Sequence, residues 1–181
     1  MALKASIFKA ELTVSDIDRH YYATHALTIA RHPSETNERM MLRIAAFAAH
    51  ASDGLTFGKG ISTDEEPDLW DISANGDIAL WLDLGLPSLD RLRKACAKAQ
   101  RVQLWSYGSD RAFNPWWQKN EQPLQRFQHL FIARINPPES EALAQLAAPN
   151  MAIQAMISDG DIHLTVNDST VNLSPKTLKD N

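Results

Sequence analysis

Asn75-Gly76 lies between two apolar-rich runs, inside the segment Glu66 to Gly85. No short-range signal for a β-hairpin is stronger. Read as a two-residue turn, it pairs Ala74 with Asp77, Ile72 with Ala79, Trp70 with Trp81 and Asp68 with Asp83. Side chains alternate with period two, so all four pairs share one face. Cβ atoms opposed in this way are about 4.5–5.5 Å apart, and two like charges there destabilise a hairpin. A cation between Asp68 and Asp83 would offset that repulsion, and Mg²⁺ or Mn²⁺ suits a pair of carboxylates. A second reading stays open: Pro67 cannot donate to a ladder and a bulge would break the register, which leaves two solvated strand ends.

The rest of the chain predicts a mixed sheet with helices packed on it, an α/β or α+β arrangement. Ala5 to Val14 and Tyr21 to Ala30 read as a hairpin around Asp16-Ile17-Asp18. Pro33-Ser34 opens a helix in which Met40, Ile44, Phe47, Ala48 and Ala51 form one apolar stripe, ending before Asp53-Gly54. Pro87-Ser88 opens a second helix to about Gln100, with Ser88 as N-cap. Val102 to Tyr107 is a strand, Ser109 to about Asn120 a helix whose start Pro115 limits, and Phe127 to Ile135 a strand. A short helix follows Pro137-Pro138, and Met151 to Val166 is a hairpin about Asp159-Gly160. The tail from Ser174 is polar and expected to be loose.

Composition narrows the function classes. The 181 residues, 44% hydrophobic and 22% charged, are ordinary for one soluble globular domain. A net charge of −4 excludes a polycation, so contact with DNA or RNA would need a local basic patch. The longest apolar run, Ile44 to Ala51, is broken by His50 and too short to span a bilayer, so no membrane role is expected. Lys4 and Lys9 sit in an alternating start with no signal-peptide character, and the expected compartment is the cytoplasm. The single Cys96 excludes an intrachain disulfide and a zinc cage of several cysteines.

Few other residues suggest chemistry. At about 100° per residue, Arg91, Lys94 and Lys98 share one face of the second helix, with Arg101 nearby and no acid between Arg91 and Arg101. That helix follows directly on the strand bearing Asp83, so a cation on its first turns can return toward the carboxylates; a solvated basic face is the alternative. Glu35 is read into the first turn of the long helix, where the dipole alone favours a carboxylate. Glu38, Arg39 and Arg43 can be helix-surface ion pairs. Gly54 to Gly60 falls one residue short of a phosphate loop and lacks its Ser/Thr. Trp116-Trp117 can stack on bases, or anchor a helix as buried aromatics.

Several strings resemble the YaeQ family of small bacterial proteins: Arg31-His32-Pro33-Ser34-Glu35-Thr36, Glu66-Pro67-Asp68, Trp81 through Pro87, Arg91 with Lys94-Ala95-Cys96, and Trp116-Trp117. The resemblance covers nearly the whole chain. It implies a fold similar to the PD-(D/E)XK nuclease superfamily, a restriction-endonuclease-like mixed sheet flanked by helices, with a core over about 31–135 of a single domain, 1–181. It makes Glu35 the acid of the first core helix, Pro67-Asp68 the "PD" element and Asp83 the following acid. Gly85 stands where the superfamily motif has lysine. In some superfamily members the next helix supplies the cation, which makes Lys94 the first candidate here and Arg91 the second.

Two functions are therefore expected, the first leading and the second its alternative. One is a Mg²⁺- or Mn²⁺-dependent phosphodiesterase on DNA or RNA, with Asp68 and Asp83 on the metal, Glu35 nearby, Lys94 stabilising developing charge, and Arg39, Arg43, Arg91 and Lys98 holding phosphates. The other is a catalytically degenerate module on the same scaffold, binding nucleic acid or a protein of the transcription or repair machinery.

Overall fold

In a computed structural model describing residues 3–180, the elements run β1 (Ser6–Asp16), β2 (Tyr21–Arg31), α1 (Asn37–His50), β3 (Leu55–Phe57), β4 (Leu69–Ile72), β5 (Ile78–Leu84), α2 (Leu89–Lys98), β6 (Val102–Ser106), α3 (Asp110–Leu124), β7 (Leu130–Arg134), α4 (Pro137–Ala144), β8 (Asn150–Ser158), β9 (Asp161–Val166), β10 (Ser169–Leu173) and β11 (Lys176–Lys179). They make two mixed sheets, β10-β9-β8-β1-β2 and β11-β7-β6-β5-β4-β3. The mixed α+β class is as the sequence predicts. Where one domain is expected, the chain packs as two compact units, Met1–Ala51 with Pro138–Ser174, and Ser52–Pro137 with Pro175–Asn181. The expected core of 31–135 is thereby divided, with α1 in the first unit.

In the first unit, period-two alternation decides which side of the sheet is buried. Leu12 and Val14 of β1, Ile153 and Ile157 of β8, and Ile162 and Leu164 of β9 face inward, where α1 contacts these three strands. Lys9, Glu11, Gln154 and Met156 face out. Helix α1 starts later than predicted. Thr36, not a residue near Ser34, is the N-cap, its hydroxyl accepting from the Arg39 N–H, because an extended residue with a side-chain oxygen satisfies an orphan donor of the first turn. Glu35 therefore precedes the helix, and the dipole argument for it lapses.

Two turns of this unit are tied by one carboxylate. Asp159 and Gly160 both have positive φ, the two-residue turn that matches the twist of a hairpin. Asp18, in the β1–β2 turn, accepts from the N–H groups of Asp159 (2.8 Å) and Gly160 (2.9 Å). These two bonds, Gly160's first, hold the Asp18 carboxyl below the usual carboxylate range. A lowered folded pKa means stabilisation present above the unfolded value of about 3.9 and lost as pH falls through the folded value. Urea titrations of wild type and Asp18→Asn should therefore differ at pH 6 and converge as pH drops below about 4. A gap unchanged down to pH 3 would mean that the charge contributes nothing.

The second unit is built around β5, β6 and β7, which are parallel and joined through α2 and α3. All five residues of β6 are buried, as suits a central parallel strand covered on both faces. Leu92, Ala95 and Cys96 of α2 pack with Trp81, Leu104, Leu124 and Ile132. Burial pushes the Cys96 thiol up to about 11, so it is protonated and inert at neutral pH. Ser88 caps α2 as predicted, accepting from the Arg91 N–H. Helix α3 overruns its predicted end near Asn120 and contains both Pro115 and Pro123. The helix gives up one hydrogen bond at each proline, a loss that the packing of Phe113 and Leu124 offsets. The tail expected to be loose is corrected too: β11 pairs antiparallel with β7 and buries Lys179.

Candidate functional site

The central hairpin keeps part of the predicted register. Trp70 pairs with Trp81 and their rings meet edge-on, 6.3 Å apart. Nearer the turn the prediction fails, because Ile72 pairs with Ile78 and not with Ala79. The turn is the cause. The Ser73 N–H bonds to Asp77 O (2.9 Å), which leaves three loop residues, with Gly76 at φ +91 and the Asn75 side chain donating to Asp77 Oδ2. A compensating bulge between Asp71 and Ile72 restores the register before Trp70.

The ladder starts at Leu69, one residue after Asp68. Asp68 is 1% exposed, and its Oδ2 accepts from the Leu84 N–H at 2.8 Å. Asp83, on β5 and 2% exposed, is held by Arg91 through two parallel bonds, Nε to Oδ2 (2.8 Å) and Nη2 to Oδ1 (3.0 Å). The guanidinium also donates to Glu66 O (3.1 Å) and Asp64 O (3.3 Å). Burial disfavours its charge, but Asp83 first, then Asp68 and Asp64, outweigh that, and the Arg91 pKa is raised. A cation does offset the buried carboxylates, and it is Arg91.

Lys94, the first candidate for that place, instead pairs with Asp90 at 2.9 Å on the exposed side of α2. Lys98 reaches Glu65 at 3.4 Å. Arg91, Lys94, Lys98, Trp81, Asp64 and Glu65 line a pocket of about 270 Å³. Trp81 is 2% exposed, and among the described residues its indole N–H has no hydrogen-bond partner. The guanidinium of Arg91 and the ammonium of Lys98 lie 5.8 and 5.9 Å from its ring centre.

Glu35 belongs to the first unit, Asp68 and Asp83 to the second. Both Glu35 oxygens are engaged within that first unit, by Arg39 (3.1 Å) and by Arg43 through bonds of 2.8 and 2.7 Å. Arg43 is itself buried and also donates to Ala30 O. It is a structural ion-pair partner, neither the surface pair nor the phosphate ligand that the sequence suggests.

Among the described residues no group of three or more His, Cys, Asp or Glu side chains is placed to hold an ion. Mg²⁺ is usually held by one or two carboxylates and waters, so with Asp83 on Arg91 and Asp68 accepting from a backbone N–H, an ion there would require Arg91 to release Asp83.

The YaeQ protein family model matches residues 1–175. The chain is 42% identical over 176 residues to the "Uncharacterized protein YaeQ" of Escherichia coli (strain K12), covering 96% of this chain and 97% of the relative. This chain belongs to the YaeQ family. The Salmonella typhi relative of the same description is 42% identical over 165 residues, 91% of each chain. The crystal structure of a YaeQ protein from Xanthomonas axonopodis pv. citri superposes with a TM-score of 0.93 at 41% identity, over 98% of this chain and 99% of that one. One from Pseudomonas syringae gives 0.92 at 32%, over 98% and 97%. Among the described residues no helix is long and apolar enough to cross a membrane.

In this YaeQ chain, sequence reasoning missed the residues that hold the Pro67-Asp68 strand. Gly58 and Gly60 donate to Asp68 O (3.0 Å) and Pro67 O (3.1 Å). The glycines of the rejected phosphate loop are there for close backbone approach, and their spacing was the available signal.

Proposed function

We propose that the protein is a nucleic-acid-binding module on a PD-(D/E)XK-like scaffold, catalytically degenerate, which takes the phosphate backbone of DNA or RNA along the exposed face of α2. The observation that carries this reading is the pocket on that face, which brings Arg91, Lys94 and Lys98 together on one surface. Cations gathered on one surface are the electrostatic footprint that a phosphate backbone needs. The ion pairs of Lys94 and Lys98 lie among exposed side chains, are worth little, and can be exchanged for phosphates. Arg91 stays on Asp83 and shapes the pocket wall.

A metal-dependent phosphodiesterase is the second reading, favoured by the nearness of Asp68 and Asp83 to one arginine. It requires Arg91 to release Asp83. One experiment decides between them: fluorescence anisotropy and gel analysis with labelled single- and double-stranded DNA and RNA, in EDTA and in Mg²⁺ or Mn²⁺. The binding reading expects metal-independent association, no product, and, in Lys94→Glu/Lys98→Glu, a salt slope shallower by about 1.4–1.8. Cleavage that needs the metal and is lost in Asp83→Asn would install the enzyme. No association at 50 mM salt would end both readings.

A further inference from the structure

A second surface of this unit, adjoining the site above at Ser88 and Asp90, has a different chemistry. Between α2 and α3 runs a groove of about 790 Å³. Its apolar lining includes Leu89, Trp116 and Pro123, and its charged lining is Arg93, Lys119 and Arg126 against a single acid, Asp90. That acid is already shared, since both Arg93 and Lys94 pair with it. Among the described residues neither Lys119 nor Arg126 has an ion pair, and both are exposed. The surplus of positive charge is local, in a chain whose net charge is −4.

The apolar part is preorganised. The Trp116 indole N–H is spent on Pro87 O at 2.8 Å, so the side chain offers only carbon surface to the groove. Asn120, 5% exposed, donates to Trp116 O at 2.7 Å and anchors that turn of α3. Trp116 is already stacked against Trp117, at 6.2 Å between ring centres, and lies 6.1 Å from Phe113. A ring so packed favours a lateral apolar contact over intercalation between bases. From Trp116 to Pro123 the helix rises about 10 Å, the length of two turns of a partner helix.

We propose that this groove docks an acidic amphipathic segment of another protein, leucine-like side chains lying against Trp116, Leu89 and Pro123 and carboxylates meeting Arg93, Lys119 and Arg126. Charge complementarity selects the sign of the partner, and the narrow apolar floor selects a helix presenting i, i+3, i+4, i+7 anchors. Nucleic acid shares the sign but lacks the apolar edge that the floor would bury.

The test uses the full chain and a fluorescein-labelled helical peptide with leucines at i, i+3, i+4 and i+7 and glutamates elsewhere. Its controls are the same peptide with lysine for glutamate and an oligo-dT of similar length. The glutamate peptide is expected to bind at least about tenfold more tightly than the lysine peptide. Lys119→Glu/Arg126→Glu should weaken it by about tenfold or more with an unchanged melting temperature, both side chains being exposed. Lys98→Glu, whose side chain pairs with Glu65 and does not line the groove, should leave it intact, which separates failure here from failure of the nucleic-acid reading. Equal binding of the two peptides, or indifference to the Lys119/Arg126 reversal, would overturn the proposal. So would oligo-dT binding more tightly than the glutamate peptide with the same sensitivity to that reversal.

Discussion

Arg91→Ala is expected to lower the unfolding free energy by about 3–5 kcal/mol, because it strands the buried Asp83 carboxylate without its partner. Arg91 makes the only ion pair recorded for Asp83 among the described residues, and Asp83 is 2% exposed. The arginine also holds the carbonyls of Asp64 and Glu66, so its loss frees the segment before β4 as well. Of a typical total of about 5–15 kcal/mol, that is a large share. Urea denaturation monitored by tryptophan fluorescence measures it. Replacing both partners, Asp83→Leu with Arg91→Leu, should recover a good part of the loss, since an apolar pair leaves no uncompensated charge. If Arg91→Ala costs under about 1 kcal/mol, the range of an exposed pair, the carboxylate is hydrated and its burial does not matter.

Gly58→Ala should be nearly as damaging, at about 3 kcal/mol, the upper range for forcing extra atoms into a packed site. A Cβ on Gly58 would stand 2.1 Å from the carbonyl oxygen of Pro67, and backbone cannot swing aside as a flexible side chain can. The Gly58 N–H also donates to Asp68 O, so relief by moving the loop breaks the bond that fixes the start of β4. Gly76→Ala is the control. Its φ is positive, at +91, as that of Gly58 is not, but its Cβ would meet nothing within 4 Å, so only the backbone strain of about 1–2 kcal/mol is expected. A loss at Gly58 no larger than that at Gly76 would show that the close approach of residues 58 and 67 is relieved at little cost.

Much of the fold was legible in the residues. The hairpins of β1–β2 and β8–β9 and the start of α2 at Ser88 follow from local signals: period-two alternation, a two-residue Asp159-Gly160 turn and an N-cap hydroxyl. The one-sided stripe predicted for α1 does not hold, because every residue from Met40 to Ala48 is buried, Arg43 included. The failures occurred where a distant contact overrode the local preference. Prolines 115 and 123 stay inside α3 because Phe113 and Leu124 are buried. The polar tail becomes β11 because β7 offers it an edge. Neither partner is visible from the segment concerned.

The candidate site divides in the same way. By itself the sequence determined that Trp70 opposes Trp81 and that α2 carries Arg91, Lys94 and Lys98 on one face soon after the strand bearing Asp83, because turn chemistry and helical period act over a few residues. Only the tertiary structure decided which cation answers which acid. Arg91, a turn before Lys94, has the reach and the planar fork to take both Asp83 oxygens, while Lys94 is left to Asp90 on its own helix. It also decided that Glu35 is spent on Arg39 and Arg43 and that Gly58 and Gly60 fit against Pro67 and Asp68. Those outcomes depend on atom-scale distances between segments that meet only after folding, and no local period encodes them.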